Sequence, residues 1–214
     1  MIDLHWEWLG TLSYDTALDL QRKRREAVIS AKAPEVLWLL EHEPVITTGR
    51  RKVDNLPSEE SLRKSGVSLH QTERGGLATF HGPGQLVAYP IIDCWSRRLG
   101  AKGTVHALEQ GVIRWLERHS IPAERRSGYP GVWIGKSKIC AVGMHFRRGV
   151  SMHGVALNLN MDLDQFSMFT PCGITDGNVT HLANFTDSPP TPEQAAPSLA
   201  ADLIYSLAHP ECTI

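Results

Sequence analysis

Long apolar runs are missing from this 214-residue chain: the longest strongly apolar stretch, Val36-Leu37-Trp38-Leu39-Leu40, is far too short to cross a bilayer. The opening residues, Met1-Ile2-Asp3-Leu4-His5-Trp6, carry neither the basic start nor the apolar core of a secretory signal, so a cytoplasmic setting is expected. Cysteine is sparse, and Cys94, Cys140, Cys172 and Cys212 show no paired spacing. That argues against a disulfide framework and for free thiols. Charge is nearly balanced, with 22 Lys and Arg against 23 Asp and Glu, so no global field favours nucleic acid. Repeats, low-complexity tracts and linkers are absent as well. The length suits one domain over residues 1–214, with enough chain for a substantial core.

What is present reads as a mixed α/β chain. Tyr14 to Ile29 has no glycine or proline, and Leu12, Leu18, Leu20, Ala27 and Val28 make an imperfect helical face. Within it, Arg22-Lys23-Arg24-Arg25 is read as a solvated face. Glu35–Glu41 and Val45–Thr48 read as strands, and residues 50–66 as an extended loop. Strands are expected at Val67–Thr72, Leu86–Ile92, Ala123–Arg126, Val132–Ile134, Ile139–Phe146 and Met152–Leu159. In the last of these, alternation of Val155, Leu157 and Leu159 with polar or small residues predicts one buried face. Val105, Leu108, Val112, Ile113, Trp115 and Leu116 recur at helical spacing up to about His119. Thr191-Pro192-Glu193-Gln194 has the form of a capping box opening a last helix, in which Pro197 predicts a kink or a later start. This order predicts an α/β (α+β) fold with a single mixed, largely antiparallel sheet packed with helices.

The chemistry concentrates in Arg74-Gly75-Gly76-Leu77-Ala78-Thr79-Phe80-His81-Gly82-Pro83-Gly84-Gln85. The glycines permit positive φ and close backbone approach to a ligand, and His-Gly-Pro-Gly is turn chemistry. A loop that only turned would not need Arg74, His81 and Gln85. No Lys-Ser/Thr pair follows the glycines, so the segment is not a P-loop. Cys172 stands between Pro171 and Gly173, a setting that uncovers a thiol, whereas Cys94 and Cys140 sit in apolar surroundings and read as small core residues. A thiol of pKa ~8.5 needs a cation or base nearby to react at neutral pH. Lys138, Lys136, His81, His145, His153 and His181 are the candidates, and these residue types alone do not rank them. The Cys140/His145/His153 spacing fits no zinc pattern.

The string from Arg74 to Val87 closely resembles the signature of the lipoyl(octanoyl) transferases, the octanoyl-acyl-carrier-protein:protein transferases. Glu41-His42-Glu43-Pro44-Val45 with Gly49-Arg50, Lys138-Ile139-Cys140-Ala141-Val142-Gly143 and Pro171-Cys172-Gly173-Ile174 agree in order and spacing. The agreement runs from about Leu37 to Leu182. The resemblance implies the biotin/lipoate protein ligase catalytic fold, Cys172 as nucleophile and Lys138 as the group that lowers its pKa. It implies a substrate pocket lined by Arg74, Gly75, Gly76, Leu77, Ala78, Thr79, Phe80 and His81, by Ala141, Val142 and Gly143, and by Gly154, Val155 and Ala156.

By the same resemblance, the partners are acyl carrier protein and the lipoyl domains of 2-oxoacid dehydrogenase complexes and glycine cleavage H protein. Nucleic acid and membrane are not expected partners. No cofactor is expected beyond the phosphopantetheine that carries the acyl group. Arg50, Arg51, Arg147 and Arg148 are candidates for meeting these acidic proteins. Three alternatives share part of the pattern: an ATP-dependent lipoate–protein ligase, an amidotransferase between lipoyl-bearing proteins, and a non-catalytic binding module. The first has His-Asp and Gly-Asn where this chain has His81-Gly82-Pro83-Gly84-Gln85. The last would need neither Cys172 nor Lys138.

Overall fold

In the computed structural model, which describes residues 4–53, 55–169 and 177–210, an eight-stranded sheet forms the middle layer. Its order is β1 (His5–Leu12), β2 (Val36–His42), β6 (Gln85–Ile91), β10 (Val150–Asn158), β9 (Ser137–Arg147), β8 (Tyr129–Ile134) and β7 (Glu124–Arg126). A short β11 (Asn178–Val179) also pairs with β9. The β1–β2 and β9–β11 pairs are parallel and the others antiparallel. The mixed, largely antiparallel character is as expected, but the strands divide between two sheets. β3 (Val45–Thr48) lies between β4 (Ser68–Gln71) and β5 (Ala78–His81) in a separate three-stranded sheet. Glu43-Pro44 breaks the line of β2, and the proline has no N–H to continue a ladder.

Strict alternation sorts the large sheet's side chains to two faces. Leu37, Leu39, Leu86, Ala88, Val155 and Leu157 pack with Leu108 and Val112 of α3 (Gly100–Arg118) and Leu199 and Leu203 of α4 (Pro192–Ala208). On the other face Val36, Trp38, Leu40, Val87 and Ala156 pack with Ala17 of α1 (Tyr14–Ile29). Each fully buried leucine contributes ~1.5–3 kcal/mol, so both faces carry the fold. β10 is therefore buried along its whole length, not on one face only, because helices cover the sheet from both sides.

α1 starts at Ser13, whose Oγ accepts from the Thr16 N–H (3.3 Å). Its buried side is Tyr14, Ala17, Leu18, Gln21 and Arg25, while Leu20 is exposed. The helix is thus rotated from the leucine-based expectation. Arg25, expected in solvent, is buried with its Nη1 donating to His145 Nδ1 (3.0 Å). The expected loop of residues 50–66 contains α2 (Glu59–Ser65), in which only Leu62 is buried, too little periodicity to read. The Thr191/Gln194 capping box forms, and Pro197 lies inside α4 without ending it. Among the described residues no helix is long and apolar enough to cross a membrane.

Candidate functional site

A cavity with about 450 Å³ of space, its opening included, is bounded by the α1-facing side of the large sheet and by β5. Its floor follows from strand register. Ala141 pairs with Ala156 and Gly143 with Gly154 across β9 and β10, so four small residues adjoin where larger side chains would fill the space. Val87 and Tyr89 of β6, Tyr14 of α1 and Thr79 and His81 of β5 contribute the walls. The Arg74–Leu77 loop closes one side. It is tied to β9 by the Gly75 N–H donating to Met144 O (2.9 Å), and to the chain after β3 by Arg50 N–H to Arg74 O (3.1 Å). Arg74 itself is buried, with Nη2 donating to Thr47 O (2.7 Å) and Nη1 to Gly75 O (2.9 Å).

Of the expected lining, Arg74, Gly76, Thr79, His81, Ala141, Val142, Gly143, Gly154, Val155 and Ala156 border the cavity. Gly75, Leu77, Ala78 and Phe80 do not. A strand cannot point consecutive side chains to one side; Ala78 and Phe80 face a separate apolar cluster with Ile46 and Phe166. Gly75 and Leu77 act through their backbone bonds to Met144 and Gly49.

A continuous hydrogen-bond chain runs from the loop along one side of the cavity. Arg74 Nη2 donates to Thr47 Oγ1 (2.9 Å), leaving the threonine hydroxyl to donate to His81 Nε2 (3.3 Å). His81 Nδ1–H donates to Gln85 Oε1 (2.7 Å), and Gln85 Nε2 donates to Asn158 Oδ1 (2.9 Å). Asn158 Nδ2 then donates to Thr180 O (2.9 Å), and the Thr180 N–H donates to Lys138 O (2.9 Å). Gln85 Oε1 can only accept, so the proton of the neutral His81 ring sits on Nδ1 and Nε2 is the acceptor. The turn that brings Gln85 into place needs Gly84 (φ +84), where a Cβ would run into the Asn160 carbonyl.

Two buried imidazoles, His81 and His153, border the cavity, and a third, His42, bonds the lining residue Tyr89. His42 Nδ1–H donates to Leu12 O (3.1 Å) and its Nε2 accepts from Tyr89 Oη (2.8 Å). Burial holds its pKa down at about 4 and that of His153 at about 3. His81 is also held well below its ordinary value, first by burial and then by neighbouring His42. These rings are neutral at pH 7, so none supplies the cation a thiol requires. His153 takes φ +61, departing from strand geometry and reaching the cavity wall, with its Nε2 buried and unpartnered. His145 is only half-buried and engaged by Arg25. His181 hydrogen-bonds Met161 O (3.0 Å), away from the cavity lining. Lys136 is exposed in the turn before β9.

Lys138 is a buried cation, as are Arg25 and Arg74. Its Nζ donates to Pro130 O (3.0 Å) and lies 4.8 Å from the centroid of the Trp133 ring. Simple alternation would put it on the face of Cys140. The β8–β9 register, however, pairs Val132 with Cys140 and Trp133 with Lys138, making Ile139 an extra residue. This β-bulge turns Lys138 to the face of Ala141, the cavity face. Cys94 and Cys140 are fully buried; burial raises both thiols, Cys140 to about 12, so neither is a nucleophile at neutral pH. Cys172 and Cys212 lie outside the described residues. Tyr14, His42, Tyr89, Thr47 and Asn158 are not singled out as site residues by the sequence, and His153 is named there only as a candidate base. Tyr89 was accessible, two residues from Val87 in a predicted strand.

The chain matches the family model described as "Lipoyl protein ligase A/B catalytic domain" over residues 13–204. It is 43% identical to an octanoyltransferase of Alkaliphilus metalliredigens over 184 residues, 85% of this chain and 84% of the relative. Identity is 47% over 176 residues to an octanoyltransferase of Nitratidesulfovibrio vulgaris, 81% and 80% of the two chains. A mitochondrial octanoyl-[acyl-carrier-protein]:protein N-octanoyltransferase of Danio rerio is 41% identical over 194 residues, 89% and 86% of the two chains. In fold the chain is similar to lipoate-protein ligase A bound with ATP (TM-score 0.73, 17% identity, 99% and 86% covered). It is also similar to biotin protein ligase of Aquifex aeolicus (TM-score 0.56, 14% identity, 98% and 72% covered). With the biotin/lipoate protein ligase architecture around this cavity, the chain belongs to the octanoyltransferase family and is an acyltransferase.

Proposed function

We infer that the chain, acting as one catalytic unit in the cytoplasm, moves an octanoyl group from acyl carrier protein to a lysine of lipoyl domains through a thioester on Cys172. The observation that carries this reading is the small-residue cavity floor on β9 and β10, with buried Lys138 on the same face three residues from Ala141. Asn178–Val179 pairs with Ser137–Lys138, which tethers the chain six residues after Cys172 beside the lysine. In the first step the Cys172 thiolate attacks the octanoyl carbonyl carbon, and the phosphopantetheine sulfur leaves with a proton. Backbone N–H groups near Gly76, which borders the cavity, or near Gly173 are the candidate oxyanion donors. In the second step the acceptor lysine's neutral ε-amine attacks the thioester, forming the amide and returning the thiol. Exchange of one thioester for another is close to isoenergetic, so no ATP enters. Lys138 stabilises the thiolate and passes protons between the steps. Arg50, Arg51 and Arg148 are exposed and available to acidic carrier proteins, while Arg147 is paired with Glu26 (2.7 Å).

The test is intact-mass measurement after incubation with octanoyl-acyl carrier protein without ATP. The wild type should gain one octanoyl group and pass it to a lipoyl domain, while a folded Cys172→Ala variant should do neither. An octanoyl adduct surviving in that variant would overturn the assignment.

A further inference from the structure

One peptide group connects the two faces of the sheet at Lys138. The Pro130 carbonyl accepts from Lys138 Nζ (3.0 Å), while the N–H of the same peptide, that of Gly131, donates to Glu109 Oε1 (2.7 Å). In a trans peptide these two groups point in opposite directions. Glu109 comes from α3, which packs on the face of Val132 and Cys140; Lys138 occupies the cavity face. The peptide is therefore turned out of the sheet plane and spans its thickness. Gly131 makes this possible: at φ +129 a Cβ would lie 2.5 Å from Cys140 O and 3.2 Å from Lys138 Cε.

Glu109 is 3% exposed, an unusual place for a carboxyl group in an otherwise apolar helix face. Burial pushes its pKa above the ordinary carboxyl value, and the Gly131 N–H and the cations of Arg125 and Lys138 offset part of that cost. A carboxylate on the N–H side polarises the peptide, which makes its carbonyl a stronger acceptor for the ammonium on the far side. We propose that Glu109 is a positioning residue for Lys138, acting through the Pro130–Gly131 peptide to fix the ammonium on the cavity face. The proposal rests on the role given above to Lys138. The charged groups around this spot are Glu109 of α3, Arg125 and Arg126 of β7, the latter 5.2 Å from the centroid of the Trp133 ring, and Lys138 itself. The buried Cys140 thiol is on the opposite face, and Trp133 contributes its ring.

The test is charge removal without loss of the acceptor. Glu109→Gln can still accept from the Gly131 N–H. Labelling of Lys138 by limiting acetic anhydride, read by peptide mass spectrometry against exposed Lys23 and Lys102, reports how firmly the ammonium is held. The Gln variant should label Lys138 about 3–10-fold faster at pH values below the labelling midpoint, which moves to lower pH; Glu109→Asp should restore much of the wild-type curve. Mere loosening would multiply the rate equally at every pH. A curve unchanged, or scaled without a shift of midpoint, would overturn the proposal. Should Glu109→Gln not fold, the equal-sized pair Glu109→Asp and Glu109→Asn provides the same comparison. Octanoyl transfer by Lys138→Ala separates the two ideas: full activity there defeats the role of Lys138, while the labelling still decides whether Glu109 holds it.

Discussion

Replacing Gln85 with Met isolates the hydrogen-bond chain that frames the cavity. Gln85 is 1% exposed and its side chain bonds His81 Nδ1 (2.7 Å), Asn158 Oδ1 (2.9 Å) and Phe80 O (3.2 Å). Methionine has nearly the same volume and length, so little cavity or overpacking cost is added. What changes is that three buried polar groups lose a partner, each worth ~1–3 kcal/mol. The variant should lose about 3–9 kcal/mol, a fall in Tm on the order of 10–20 °C at ~2–4 °C per kcal/mol for a chain of this size. Urea unfolding at pH 7 with an unchanged m-value measures it directly. Asn158→Leu in the same chain should cost less than the two single changes added together, by ~1–2 kcal/mol, because each removes a partner the other had left unsatisfied. A Gln85→Met loss below about 1 kcal/mol, or strict additivity with Asn158→Leu, would show that water replaces these bonds and that the chain does not frame the site.

The buried imidazoles predict an acid-sensitive fold. His42 and His153 titrate at about 4 and about 3 because burial disfavours the cation, whereas the unfolded chain binds those protons near pH 6.5. Their contribution is complete above pH ~6.5 and is lost as pH falls toward the folded values, roughly 2 kcal/mol for each by pH 5. A urea midpoint that stays constant from pH 7 to 5 would contradict this. Gly84→Ala should cost about 2–4 kcal/mol, combining a left-handed φ with a Cβ directed at Asn160 O; thermal melting gives the value, and a neutral result would mean the turn rearranges freely. Lys138→Ala should slow formation of the octanoyl adduct about 10²-fold or more and move the pH profile of Cys172 alkylation upward. An unchanged alkylation profile would remove Lys138 from thiolate control.

The readable parts of this chain were those where one strong local signal had no competitor. The helical spacing from Val105 to Leu116 became α3, and Thr191 with Gln194 formed the expected box at the start of α4. Signals failed where burial came from tertiary context. β1 is an edge strand, largely half-buried, and was not assigned; α2 buries only Leu62. Arg25 belongs to a basic run that looks solvated, yet it is drawn inward to His145. The glycine-rich loop was legible as ligand-directed, but the expectation that all of residues 74–81 line a pocket ignored the period of β5, which sends Ala78 and Phe80 the other way.

Lys138 shows most sharply what pattern alone leaves out. In a regular strand it would share a face with Cys140 and point at α3, where a lysine would sit in the apolar core. The extra residue at Ile139 reverses that, and the reversal needs room on β8, which Gly131 supplies. The turned-out peptide then needs an acceptor on the helix side, and Glu109 is that acceptor. A glycine inside one strand, a lysine inside the next and a carboxylate on the covering helix each look like a defect when read alone. Together they describe one device: a sheet bent locally so that Lys138 turns to the cavity side of the sheet, held from behind by a charge it never touches.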